Sequence, residues 1–205
     1  MFVDIESGGL RTYRPIIQIA AIAVDCALRE LEVFEEKIQF DEGQATARTL
    51  RRRHYDRAVW KRDARRAPDV AAEFSGFLAR HATVGVRGAG GKPFAVAQLV
   101  AHNAEFDGPF LRAWFERQQL FFPGSYRVLC TMHRAMWLFH ELPSLPPPND
   151  FKLGTLCRYF SVPWHPRKAH DALADVRATV GLSRKMIECQ HQATAKLNAD
   201  RPCAA

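Results

Sequence analysis

The chain has 205 residues, 47% hydrophobic and 11% aromatic, enough apolar material to bury a sizeable core within one globular domain. Its five cysteines, Cys26, Cys130, Cys157, Cys189 and Cys203, are odd in number and far apart with no CxxC pair, which argues against a disulfide scaffold or zinc site and for reduced thiols in the cytoplasm. The net charge of +7 is concentrated between Arg48 and Arg66, where nine Lys or Arg stand against Asp56 and Asp63 while the rest of the chain balances. The opening MFVDIES has no basic region followed by an apolar run, and IIQIAAIAV falls well short of the roughly 20 residues of a membrane span, so neither an export signal nor a membrane is expected.

In chain order, MFVDIES, IIQIAAIAVD and LEVFEEKIQF read as three consecutive strands of a meander. The basic stretch RTLRRRHYDRAVWKRDARR reads as a helix, with Tyr55 and Trp60 interleaved. It is either a contact for a polyanion's phosphates or a solvated helix face. A second helix, DVAAEFSGFLARH, follows Pro68. The glycine-rich GVRGAGGKPF reads as a flexible connection. A phosphate-binding loop would need glycine where Val86 stands and Ser or Thr after Lys92, and no helix opens on the segment to make a dinucleotide fingerprint. AVAQLVA reads as a buried strand, EFDGPFLRAWFERQQL as a helix with Phe106, Phe110 and Trp114 on one face, and YRVLCT as a further strand. LPSLPPPND is a proline-rich loop, and one long amphipathic helix runs from Asp171 to about Lys196. Residues 1–197 are expected to form a single domain and 198–205 a flexible tail. His54, His81, His133, His140, His165 and His191 have no mutual ligand spacing.

The carboxylates form a more informative set. A strand's period of two puts Asp4 and Glu6 on one face of FVDIES and Val3 and Ile5 on the other. Two acids on a shared, largely apolar face repel and resist burial, a cost that a divalent cation relieves. Asp107 follows a buried strand in the opening turn of a helix, where Pro109 is tolerated, and taken alone it reads more readily as a cap. Asp171 reads as the N-cap of the last helix, with Asp175 inside it. His170 lies five residues before Asp175, about 140° off the same helix face, so it belongs to the preceding loop.

Taken together, DIESGGL, HNAEFD and HDALAD, in that order, resemble the three motifs of the DEDDh branch of the DnaQ-like 3′→5′ exonucleases, over residues 3 to about 185. The resemblance implies an α/β, ribonuclease H-like fold with a five-stranded mixed β-sheet flanked by helices. It implies that Asp4, Glu6, Asp107 and Asp175 hold two divalent metal ions, Mg2+ or Mn2+, and that His170 is the general base. Asp171 stands where the sister branch has tyrosine. Such ions, about 3.5–4 Å apart in two-metal sites, prefer oxygen ligands and would acidify the attacking water and steady the leaving oxygen. An imidazole with an ordinary pKa of about 6.5 can take a proton near neutral pH.

The resemblance further implies that Ser7, Gly8, Gly9 and Leu10 lie against the terminal nucleotide, with Leu10 as a wedge. Phe106 either stacks on a base or packs against Phe110. His102 and Asn103 match the second motif as loop-ordering residues. The expected activity is release of nucleoside 5′-monophosphates from free 3′ ends, single strands preferred, with a slight lean to DNA. An exoribonuclease of the ribonuclease T or oligoribonuclease type, and a nucleic-acid-binding protein with a lapsed site, are the alternatives. The partner is a nucleic acid, DNA or RNA, with a free 3′ end. A homodimer and a polymerase or repair partner stay open.

Overall fold

A computed structural model describes residues 1–53, 55–88 and 90–199. His54, Cys203 and the expected tail beyond Ala199 lie outside the described residues.

Three antiparallel strands open the chain, β1 (Phe2–Ser7), β2 (Ile16–Val24) and β3 (Glu30–Lys37), as the alternation predicts. Two short strands, β6 (Val100–Ala101) and β7 (Leu129–Cys130), add in parallel on the far side of β1, giving the order β3-β2-β1-β6-β7. This is the expected five-stranded mixed sheet. β2 is almost entirely apolar because it is central and covered on both faces. On one face Ile16, Ile19 and Ala21 join Val3 and Ile5 beneath α3 (Ala67–Arg80) and α4 (Ala104–Arg117), which contribute Phe74, Phe77, Phe110 and Trp114. On the other, Phe2, Ala20 and Ile22 meet Ala172, Val176 and Val180 of α7 (Ala172–Ala199). Each such large side chain, fully buried, stabilises the fold by roughly 1.5–3 kcal/mol. Asp4 and Glu6 share the parity of Phe2 and so point to the α7 side.

The basic stretch is two helices rather than one, α1 (Ala47–Arg52) and α2 (Arg57–Asp63). Asp56 breaks it by accepting the amides of Ala58 and Val59 as an N-cap, an alternative to continuing the helix. Its aromatics face inward. Trp60 is buried and donates to the Ile17 carbonyl at 3.1 Å, and the Tyr55 hydroxyl donates to Glu42, so neither ring is offered to a ligand as an interleaved aromatic would be.

The glycine-rich connection is instead a hairpin, β4 (Val84–Arg87) and β5 (Pro93–Val96), closed by the Gly88 amide on the Lys92 carbonyl. AVAQLVA is therefore split between β5 and β6. Two helices escaped the sequence reading, α5 (Thr131–Glu141) and α6 (Leu153–Tyr159), which pack on α7 to form a second core around Leu138, Leu156 and Leu182. Pro109 lies at the sixth residue of α4, past its first turn, where it withholds the amide that would bond the Glu105 carbonyl. Among the described residues no helix is long and apolar enough to cross a membrane, and Cys26, Cys130, Cys157 and Cys189 are free thiols.

Candidate active site

A cleft of about 750 Å³ lies beyond the C-terminal ends of β1 and β6, lined by Asp4, Glu6, Asp107, His170 and Asp175 among others. Open α/β sheets place ligands at that end of the strands. The acids come from three elements. β1 presents Asp4 and Glu6. The first turns of α4 bring Asp107, whose Oδ1 accepts the Ile5 amide at 3.2 Å and is thereby tied to β1. The start of α7 brings Asp175, and Asp171 caps that helix by accepting the Ala174 amide at 2.9 Å, as expected. His170 precedes the helix with a left-handed backbone, φ 67°, and its amide donates to Asp175 Oδ2 at 2.9 Å. Its Nδ1 is 3.9 Å from Glu6 Oε1, and Glu6, His170 and Asp175 each offer a donor atom within 4.8 Å of the others.

This grouping is electrostatically expensive. Burial, followed by repulsion from Asp107, Glu6 and Asp175, raises the Asp4 carboxyl well above the usual range. Burial pushes Glu6 up to about 8, although Arg53 beside it pulls the other way. Burial pushes Asp107 up to about 7 against the Ile5 amide, and it raises Asp175 too. Asp4 Oδ2 and Glu6 Oε2 are buried and make no hydrogen bond, although Glu6 Oε2 has an ion pair with Arg53. Unsatisfied, desolvated carboxylate oxygens in a cluster are the donor set that hard divalent cations select, so these residues fit Mg2+ or Mn2+.

The remaining residues singled out in the sequence are placed as follows. Ser7 is buried, and its hydroxyl donates to the Gly9 carbonyl at 2.7 Å rather than into the cleft. Gly8 is required by packing, since a Cβ there would lie 2.9 Å from that of Ala45. Leu10 lines the cleft and is 82% exposed. Phe106 packs against Phe110, ring centroids 4.6 Å apart, and also lines the cleft. His102 is clamped between Thr131 Oγ1 and the Phe151 carbonyl, and burial lowers its pKa to about 4. Asn103 sits at the N-cap of α4 with φ 66°.

Several contributors were missed. The Trp164 indole donates to Asp175 Oδ1 at 3.2 Å and lies against α6, where a Cβ at Gly154 would come within 2.5 Å of the ring. Lys152, at the N-cap of α6, and Arg158 within it also line the cleft. Arg52 and Arg53 reach in from α1, a position that the basic run signalled without indicating its direction.

Comparison with known proteins places the architecture first. No family model matches the chain. The zinc-bound exonuclease I from E. coli in complex with single-stranded DNA aligns over 97% of this chain with a TM-score of 0.72 at 18% identity. Exonuclease I from Methylocaldum szegediense aligns over 98% with a TM-score of 0.71, also at 18% identity. The chain spans 42% of each of these longer proteins. The fold is thus the ribonuclease H-like fold of exonuclease I, in agreement with the DnaQ-like resemblance of the three motifs. A curated protein of Mycobacterium tuberculosis (strain CDC 1551 / Oshkosh), named "Putative bifunctional exonuclease/endonuclease protein MT2247", is 42% identical over 92 residues, which cover 44% of this chain and 13% of that protein.

Proposed function

We propose that the chain is a metal-dependent 3′→5′ exonuclease that trims single-stranded nucleic acid, DNA in the first instance, to nucleoside 5′-monophosphates. The observation behind this is the meeting of Asp4, Glu6, Asp107 and Asp175, distant in sequence, in one cleft with His170 beside them. In this reading residues 1–197 form one exonuclease domain, and the four acids would hold two Mg2+ or Mn2+ ions. When bound, these supply an acidified water and charge neutralisation at the scissile phosphate. His170 is the base that takes the water's proton on a ring nitrogen, its backbone held to Asp175. Leu10, exposed at the rim, splays the terminal bases, and Phe106 stacks on one of them. Lys152 and Arg158 face the phosphate backbone in the cleft.

Magnesium-dependent release of mononucleotides from 3′-labelled DNA and RNA strands of matched sequence tests the reading. Release requiring Mg2+ supports it, and salt-sensitive binding without cleavage favours a lapsed site. The ratio of the two rates decides between DNA and RNA.

Two results are expected at the metal site. Groups whose folded pKa is raised stabilise the protein below their unfolded pKa and lose that contribution as pH rises through the folded value. Metal-free stability should therefore fall between about pH 4.5 and 8 on account of Glu6 and Asp107. The increase in Tm produced by Mg2+ should grow over that same window, as read by thermal unfolding with and without the ion. Trp164→Phe keeps the ring but deletes the donor to Asp175. It is expected to weaken Mn2+ binding by roughly tenfold or more, the usual scale for a residue that orients a ligand, as measured by calorimetric titration.

A further inference from the structure

Arg53 is the C-cap of α1, and that short helix is held over the site by the Thr46 amide on the Gly8 carbonyl at 3.0 Å. Its side chain is 15% exposed, and Nη1 is paired with Glu6 Oε2 while lying 3.0 Å from His170 Nδ1. This seat does not suit a guanidinium. Arg53 Nε is buried with no hydrogen-bond partner, which a permanent structural arginine would be expected to have. Arg52 Nε meanwhile donates to Nε2 of the same imidazole at 3.0 Å. Arginine only donates and a neutral imidazole has one accepting nitrogen, so the two contacts cannot both be hydrogen bonds. Arg53 also forms part of the wall between the catalytic cleft and a neighbouring cavity of about 580 Å³, lined by Gln18, Glu35, Asp56 and Trp60 among others. A displaced guanidinium has room there beside Glu35 and Asp56, in a cavity that Lys37, Arg167 and Arg177 also line.

We propose that Arg53 is a tethered counter-ion that occupies the carboxylate cluster in the metal-free protein and competes with divalent cations for it. This rests on the reading of Asp4, Glu6, Asp107 and Asp175 as metal ligands. The guanidinium offsets part of the repulsion among the four acids, so the cluster folds without metal. The same positive charge opposes the entry of an ion and must leave Glu6 for the site to fill.

The test is calorimetric titration of Mn2+ into the metal-free 205-residue chain, wild type against Arg53→Gln and Arg53→Lys. Arg53→Gln should bind Mn2+ roughly tenfold more tightly than wild type, and Arg53→Lys, which keeps a tethered charge, should stay close to wild type. Arg53→Gln should also melt at a lower temperature than wild type in chelator at pH 8 and recover as Mn2+ is added. If it is too unstable for calorimetry, the Mn2+ concentration at which its Tm rises reports the same affinity. Equal or weaker Mn2+ binding by Arg53→Gln overturns the inference and leaves the metal site standing. Absence of binding by every form overturns the metal-site reading itself.

Discussion

Asp107→Asn is expected to lower magnesium-dependent nucleotide release by roughly 10³-fold or more while making the metal-free protein more stable. The two effects have one cause. Asparagine keeps the shape and still accepts the Ile5 amide, but it removes a buried charge whose carboxyl is pushed up to about 7 by desolvation. In a protein of this size each kcal/mol regained is worth about 2–4 °C in Tm. The gain should appear at pH 8 and vanish at pH 4, where Asp107 is already neutral. Activity within tenfold of wild type would remove Asp107 from the ligand set. A loss of activity accompanied by a lower Tm would mean the residue is there to hold the fold.

His170→Ala is the second large effect. Turnover should fall by roughly 10²–10⁴-fold, the range for a positioned general base, with oligonucleotide affinity largely unchanged. The wild-type rate should rise with pH as His170 loses its proton, and that rise should be missing from the variant. The backbone of His170 has φ 67°, and its amide is bonded to Asp175. Full rate in His170→Ala would show the base misassigned.

Much of the sheet and the acid set was legible, for physical reasons that differ. β1 to β3 could be read because a strand half-covered by helices alternates, and because β2, covered twice, is uninterrupted. The acids could be read only as a set, through three motifs in order, because a DxE pair or an aspartate opening a helix reads alone as a chance pair or a cap. What was hidden depends on tertiary partners. The aromatics of the basic stretch looked available for stacking, yet Trp60 answers to the Ile17 carbonyl, which lies far off in sequence. β6 has two residues and gains its place from β1 and β7, so its run of apolar residues gave no hint of a break. Trp164 carried no signal, because its role needs Gly154 to bring α6 against the ring and Asp175 to receive the indole. The positive charge between Arg48 and Arg66 was visible, but not that Arg53 points inward.

The bond from Ile5 to Asp107 joins the backbone of a central strand to a side chain of the carboxylate cluster. That amide is therefore a built-in reporter, whose hydrogen exchange should be slow only while α4 stays docked against β1. A residue-resolved exchange spectrum would separate loss of docking from loss of charge. Protection at Ile5 would survive in Asp107→Asn and collapse in Asp107→Ala.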